Sequence, residues 1–153
     1  MLYRVATLED CAVLTSLRMK MRAERDPGFC KEDLLEITHA FFQRNIQNGS
    51  HVAFLCEHEG IVIATAGLSL FEMPPTGKQP NGKVGKLMNM YTVPQQRRRG
   101  VATGMLAFVL AYAQRNALGR IMLNASPMGK SLYEKAGFHK ISEHGETMNI
   151  CWI

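Results

Sequence analysis

The sequence predicts an α/β domain built on one mixed sheet, and three features of the chain predict it. Short apolar runs with strand-like alternation are interleaved with segments whose apolar residues recur at helical spacing. Strand, helix and strand follow one another from Lys86 to Ala125. Finally, 153 residues without repeats, low-complexity tracts or linkers are one domain's worth of chain, covering 1–153.

Leu2–Ala6 alternates apolar and polar residues and reads as a first strand. Thr7 is placed to cap a helix, with Glu9 and Asp10 in the first turn where they complement the helix dipole. Leu8, Cys11, Ala12, Leu14 and Leu17 make one face of it. Arg18, Lys20, Arg22 and Arg25 crowd its far end before Asp26-Pro27-Gly28 breaks it. A second helix runs from about Glu32 to Asn48, with Leu34, Leu35, Ile37, Phe41, Phe42 and Ile46 at helical spacing. Val52–Cys56 and Ile61–Leu68 then form a hairpin around His58-Glu59-Gly60.

Phe71 to Gly85 holds Pro74, Pro75, Pro80, Gly77, Asn81 and Gly82, and is expected to be an irregular, functional loop. Lys86–Val93 is a strand and Gly100–Arg115 a helix, apolar almost all round. Ile121–Ala125 is a short strand. Ser126 then caps a short helix with Pro127 in its first turn, and Gly137 closes it. His139–Ile141 and Thr147–Trp152 end the chain as two strands.

Lysine and arginine number 18 against 13 acids, a formal charge of +5. That excess suits a polyanionic partner without choosing between cofactor, nucleic acid and membrane. The four cysteines (Cys11, Cys30, Cys56 and Cys151) contain no C-x-x-C pair, which fits free thiols. His51, Cys56 and His58 lack a second ligand pair at metal spacing, so no metal site is expected. The chain opens without a secretory signal, and no apolar run approaches the ~20 residues of a membrane helix. The expectation is a reduced, cytoplasmic protein.

The richest stretch is Met88–Gly104. A strand passes through a turn with three arginines into a helix whose first residues include Gly100 and Ala102. Free N–H groups at that helix start, with small residues allowing close approach, make a pocket for a phosphate-bearing ligand. A dinucleotide fingerprint fails, because Ala102 and Met105 stand where glycines are required. Gly129-Lys130-Ser131 lacks the earlier glycine of a Walker motif, since position 124 is Asn.

Val93-Pro-Gln-Gln-Arg-Arg-Arg-Gly-Val-Ala-Thr-Gly resembles the acyl-CoA-binding motif of the GNAT acetyltransferase superfamily, Gln/Arg-x-x-Gly-x-Gly/Ala. About forty residues on, Ser131-Leu-Tyr-Glu-Lys-Ala-Gly-Phe138 resembles that superfamily's second signature. The resemblance covers essentially the whole chain. It implies a mostly antiparallel, twisted sheet of about seven strands flanked by about four helices. It implies acetyl-CoA as donor, in a V-shaped opening between the fourth and fifth strands, and an amine as acceptor. Backbone groups of Tyr91 and Val93, with Thr92 between them, would pair with the pantetheine arm. Amides of Arg97, Arg98, Arg99, Gly100, Val101, Ala102 and Thr103 would hold the pyrophosphate. Many members place an Asn seven residues before the tyrosine. Here that position is Ser126, and Asn124 is the alternative cofactor contact.

Acyl transfer to an amine needs a deprotonated amine, a polarised carbonyl and a proton for the thiolate. The resemblance makes Tyr133 the proton donor, with a main-chain N–H near Tyr91 polarising the carbonyl. The sequence does not identify the general base: Glu72, acting through water, is a candidate, with Glu57 and Glu59 behind it, and each reads equally as an ordinary surface glutamate. Asn89 and Tyr91 would line the acceptor side, and the first two helices with the Phe71–Gly85 loop would build its groove. Expected partners are thus acetyl-CoA and an amine, without nucleic acid or membrane; a homodimer stays open. Two alternatives remain: an acyl-CoA-binding sensor without catalysis, and a basic nucleic-acid-binding module.

Overall fold

The computed structural model describes residues 1–30, 32–77, 79–141 and 147–151. Among the described residues seven strands form one sheet, and four helices flank it. The strands are β1 (Leu2–Val5), β2 (His51–His58), β3 (Ile61–Glu72), β4 (Lys83–Thr92), β5 (Arg120–Asn124), β6 (His139–Lys140) and β7 (Thr147–Cys151). Their order is β1-β2-β3-β4-β5-β7-β6, antiparallel throughout except for the parallel pair β4 and β5. The helices are α1 (Cys11–Arg25), α2 (Glu32–Gln47), α3 (Val101–Arg115) and α4 (Lys130–Lys135). The mixed, mostly antiparallel architecture is the one anticipated. Trp152, expected to extend β7, lies outside the described residues. Among those residues no helix is long and apolar enough to cross a membrane.

The central strands are apolar on both faces because both faces are covered. Ala53 and Leu55 of β2 join Leu14, Leu17, Met21, Phe42 and Tyr91 in a core beneath α1 and α2. Their neighbours Phe54 and Cys56 point the other way, into a core with Met105, Leu106, Val109 and Tyr133 beneath α3 and α4. His51 packs edge-on against Phe41 and at a tilt against Phe42 on the α2 side. It is therefore on the opposite face from Cys56, so the two cannot share a metal.

Local signals explain most element ends. Leu8–Asp10 is a 3-10 turn before α1, and Asp10 accepts the Thr7 N–H at 2.7 Å, as a capping carboxylate should. The same carboxylate binds Arg4, which also reaches Glu57 at 2.6 Å and ties the sheet edge to α1. In the β2–β3 turn, Glu59 and Gly60 both have positive φ, as a tight hairpin requires.

Several expectations are corrected. The loop predicted from Phe71 to Gly85 is shorter, because β3 and β4 continue their pairing through Phe71↔Val84 and Glu72↔Lys83. Leu70, Phe71 and Val84 carry enough strand character to extend the ladder, and only 73–82 lies between the strands. Leu8, in the 3-10 turn, and Ala12 of α1 face solvent, while Thr15, Met19 and Met21 of α1 are buried. The N-terminal part of α2 leaves Leu34, Leu35 and Ile37 exposed, and the packing against the core comes from Phe41, Phe42 and Ile46. Helix α4 starts at Lys130, four residues after Ser126. Ser126 instead closes a turn, its Oγ accepting the Gly129 N–H at 3.2 Å.

Candidate active site

Strands β4 and β5 pair through only Val84↔Arg120, Gly85↔Ile121 and Lys86↔Met122. Beyond Lys86 they part, and a cavity of about 690 Å³ opens between them. Its lining runs from Lys86 to Thr92 along β4, takes Arg97, Arg98, Ala102 and Met105 at the start of α3, and includes Asn124, Ser126 and Tyr133. Helix α1 contributes Arg18, Met21 and Arg25. Sequence and topology thus bring Tyr91, Thr92, Arg97, Arg98, Ala102, Asn124, Ser126, Asn89 and Tyr133 to one space. Val93, Arg99, Gly100, Val101 and Thr103 border these residues in the chain but are outside the lining.

The start of α3 is shaped for an anion. No side chain caps the helix, so its first N–H groups are left for a ligand. Arg98 (φ 61°) and Gly100 (φ 78°) are both left-handed, which curls the backbone into a concavity. A side chain on Gly100 would meet nothing within 4 Å, so glycine is required there by backbone conformation and by access. Gly104 serves another purpose. A Cβ there would come within 2.2 Å of the Tyr3 hydroxyl, which donates to the Val101 carbonyl and lets β1 cross the helix.

The backbone of β4 departs from the expected pairing. Val93 gives its N–H to the Ile63 carbonyl at 3.0 Å, so that group is committed to the sheet. Alternation turns Tyr91 the same way and leaves the Thr92 N–H facing the opening. Upstream, Thr65 pairs with Tyr91 and Gly67 with Met88, so Asn89 and Met90 together oppose Ala66. This is a β-bulge, with Asn89 at φ 55°, and it frees main-chain groups of β4 beside the cavity.

Tyr133 is held by the end of α4. Phe138 N–H bonds the Tyr133 carbonyl and Gly137 N–H the Glu134 carbonyl, both at 3.0 Å, with Gly137 at φ 93°. That is a Schellman closure, and its hydrophobic contact is Phe138 edge-on to the Tyr133 ring, centroids 5.8 Å apart. The Ala-Gly-Phe of the second signature therefore positions the tyrosine. Burial raises the Tyr133 pKa, and the charge of Arg25 opposes that rise.

Helix α1 supplies what the sequence reading lacked. Glu24 accepts the Tyr91 hydroxyl and an Arg97 N–H, each at 2.5 Å, and Arg97 also donates to the Thr92 carbonyl at 2.9 Å. Burial works against the Glu24 charge, but the bonds from Arg97 and Tyr91 outweigh it and hold the carboxyl below its usual range. Burial and Glu24 push Tyr91 up to about 12. Arg18 donates to the Asn89 amide oxygen. The only hint of these roles in the sequence was the basic crowding at the end of α1.

The candidate bases are not among the residues that line the cavity. Glu72 is exposed at the end of β3 opposite Lys83, Glu57 is bound to Arg4, and Glu59 sits in the β2–β3 turn. The lining contains no carboxylate among the described residues. The 73–82 loop is likewise absent from it.

Comparison with known proteins places this architecture among N-acetyltransferases. The crystal structure of a predicted acetyltransferase with acetyl-CoA from Clostridium acetobutylicum is 31% identical, covers 93% of this chain and 92% of its own, and superposes with a TM-score of 0.83. A GCN5-related N-acetyltransferase from Ralstonia eutropha is 23% identical over 94% and 95%, at 0.80. A ribosomal-protein-alanine N-acetyltransferase from Brucella melitensis is 20% identical over 99% and 100%, at 0.74. The last two share the fold. A search of curated proteins finds no match. The family description "Acetyltransferase (GNAT) domain" matches residues 29–153, and the chain belongs to that family.

Proposed function

We propose that residues 1–153 form one acetyltransferase domain that moves the acetyl group of acetyl-CoA to a primary amine, by direct attack in a ternary complex. The observation that carries this reading is the cavity between the parted strands, which gathers an anion cradle, a bulged β4 and a buried tyrosine. The pyrophosphate would lie at Arg97, Arg98 and the first amides of α3. The Thr92 N–H would pair with the pantetheine arm, and a free N–H at the Asn89–Met90 bulge would polarise the thioester carbonyl.

The amine nitrogen then forms the new C–N bond, the C–S bond breaks, the departing thiolate takes the Tyr133 proton, and the phenolate is reprotonated through water by the surplus proton that the new amide nitrogen releases. Burial keeps Tyr133 protonated at neutral pH, and Arg25 favours the phenolate that forms transiently. The base need not be a carboxylate. Arg18 and Lys86 line the cavity beyond the arginines assigned to the pyrophosphate, and their field lowers the pKa of a bound ammonium, easing loss of its proton to water.

Calorimetry with acetyl-CoA, followed by thiol release with an amine panel, tests the reading. The expected result is saturable binding and amine-dependent thiol release. Absence of acetyl-CoA binding refutes it, and binding without turnover on any amine leaves an acyl-CoA sensor instead.

A further inference from the structure

The cavity is more cationic than its donor requires. Arg18, Arg25, Lys86, Arg97 and Arg98 line it, with no carboxylate among the described lining residues. Arg97 and Arg98 belong to the anion cradle of α3, and Glu24 already meets the charge of Arg97. The ion pairs among the described residues otherwise involve Arg4, Arg22 and Lys130. Among the described residues Arg18 and Lys86 therefore face the cavity without an ion-pair partner, and Arg25 has only the longer-range attraction of Glu24.

Arg18 is the sharpest case. It is half-buried, its partner is the neutral amide of Asn89, and burial with Arg22 and Arg25 nearby lowers its pKa. A guanidinium that has lost water among like charges is unfavourable until an anion joins it. Position separates this cluster from the cradle. Lys86 stands where β4 and β5 part, and the six residues to Thr92 span about 20 Å of strand. Arg18 touches Asn89 at the bulge between those ends. Arg18 and Lys86 thus flank the place where an acceptor would meet the thioester, on the side away from the pyrophosphate, while Arg25 stands next to Glu24 nearer the cradle.

We propose that the acceptor carries an anionic group, a carboxylate or a phosphate beside its amine, and that Arg18, Lys86 and Arg25 bind it. This rests on the acetyl-transfer reading of the same cavity. Arginine suits such a group because its planar fork matches two oxygens at once. The anion orients the amine toward the bulge and gives the protein a preference for acidic over neutral amines.

The test is a matched panel in acetyl-CoA-dependent thiol release: glycine against glycinamide, and phosphoethanolamine against ethanolamine. At least one anionic member should exceed its neutral counterpart in kcat/KM by about tenfold or more, the worth of a charge-assisted bond pair. Which pair shows it distinguishes carboxylate from phosphate. Arg18→Gln should collapse that ratio toward one, and the exposed Lys86→Gln should narrow it even if Arg18→Gln folds poorly. Equal or better use of neutral amines, or a ratio that persists in both variants, overturns the proposal. Acetyl-CoA binding and turnover that survive such a result leave the acetyl-transfer reading intact. Loss of wild-type acetyl-CoA binding, or no turnover of any amine, sinks both.

Discussion

Tyr133→Phe isolates one oxygen atom. The ring is 7% exposed and stands edge-on to Phe138, contacts that phenylalanine reproduces, so the fold should survive with little change in stability. The lost hydroxyl is the proposed proton source for the thiolate, and a positioned acid contributes 10²–10⁴-fold to rate. Burial lifts this tyrosine above its ordinary value of 10, well above a free thiol near 8.5, which makes it a weak acid for the task. The effect should therefore sit at the low end, about 10²-fold in kcat, with acetyl-CoA affinity unchanged. Because a raised pKa keeps the phenol protonated, the wild-type advantage should be constant from about pH 7 to 9. Steady-state thiol release with calorimetry measures both quantities. A kcat within about threefold of wild type, or a loss seen only in acetyl-CoA affinity, would refute the assignment.

Gly100→Glu should abolish acetyl-CoA binding while costing about 1 kcal/mol of stability, since φ 78° strains any side chain but its Cβ meets open space. Normal binding by calorimetry would show the cradle to be misplaced. Acid should weaken the fold through His51, which is 2% exposed and whose pKa burial and then Arg18 push down to about 4. The folded state holds it neutral while the unfolded chain takes up a proton below about 6.5, so stability is lost as pH falls from there toward 4. That amounts to about 2.5 kcal/mol between pH 7.5 and 4.5, and urea unfolding of wild type against His51→Asn should show the difference in slope. Identical pH dependence in the two proteins would remove His51 as the cause.

Signals confined to neighbouring residues were legible without the structure. Asn48-Gly49 after α2, Glu59-Gly60 in the hairpin and Gly100 before α3 each demand a particular backbone conformation, and each has it. Ala136-Gly137-Phe138 likewise encodes the closure that holds Tyr133. The Phe71–Gly85 segment misled because its prolines and glycines mark a turn, whereas its length depended on a partner strand elsewhere in the chain.

The sequence by itself determined most of the elements and the paired motifs, and hence the proposed donor side of the cavity, because those features are local and backbone conformation is set within a few residues. Tertiary structure alone decided what faces the proposed acceptor side. Arg18 meets Asn89 across 71 positions and Glu24 meets Arg97 across 73, so the chemistry there depends on which face of α1 lies over β4. That face is chosen by the burial of Leu14, Leu17 and Met21 against the sheet, and the same rotation carries Arg18 and Arg25 to the cavity.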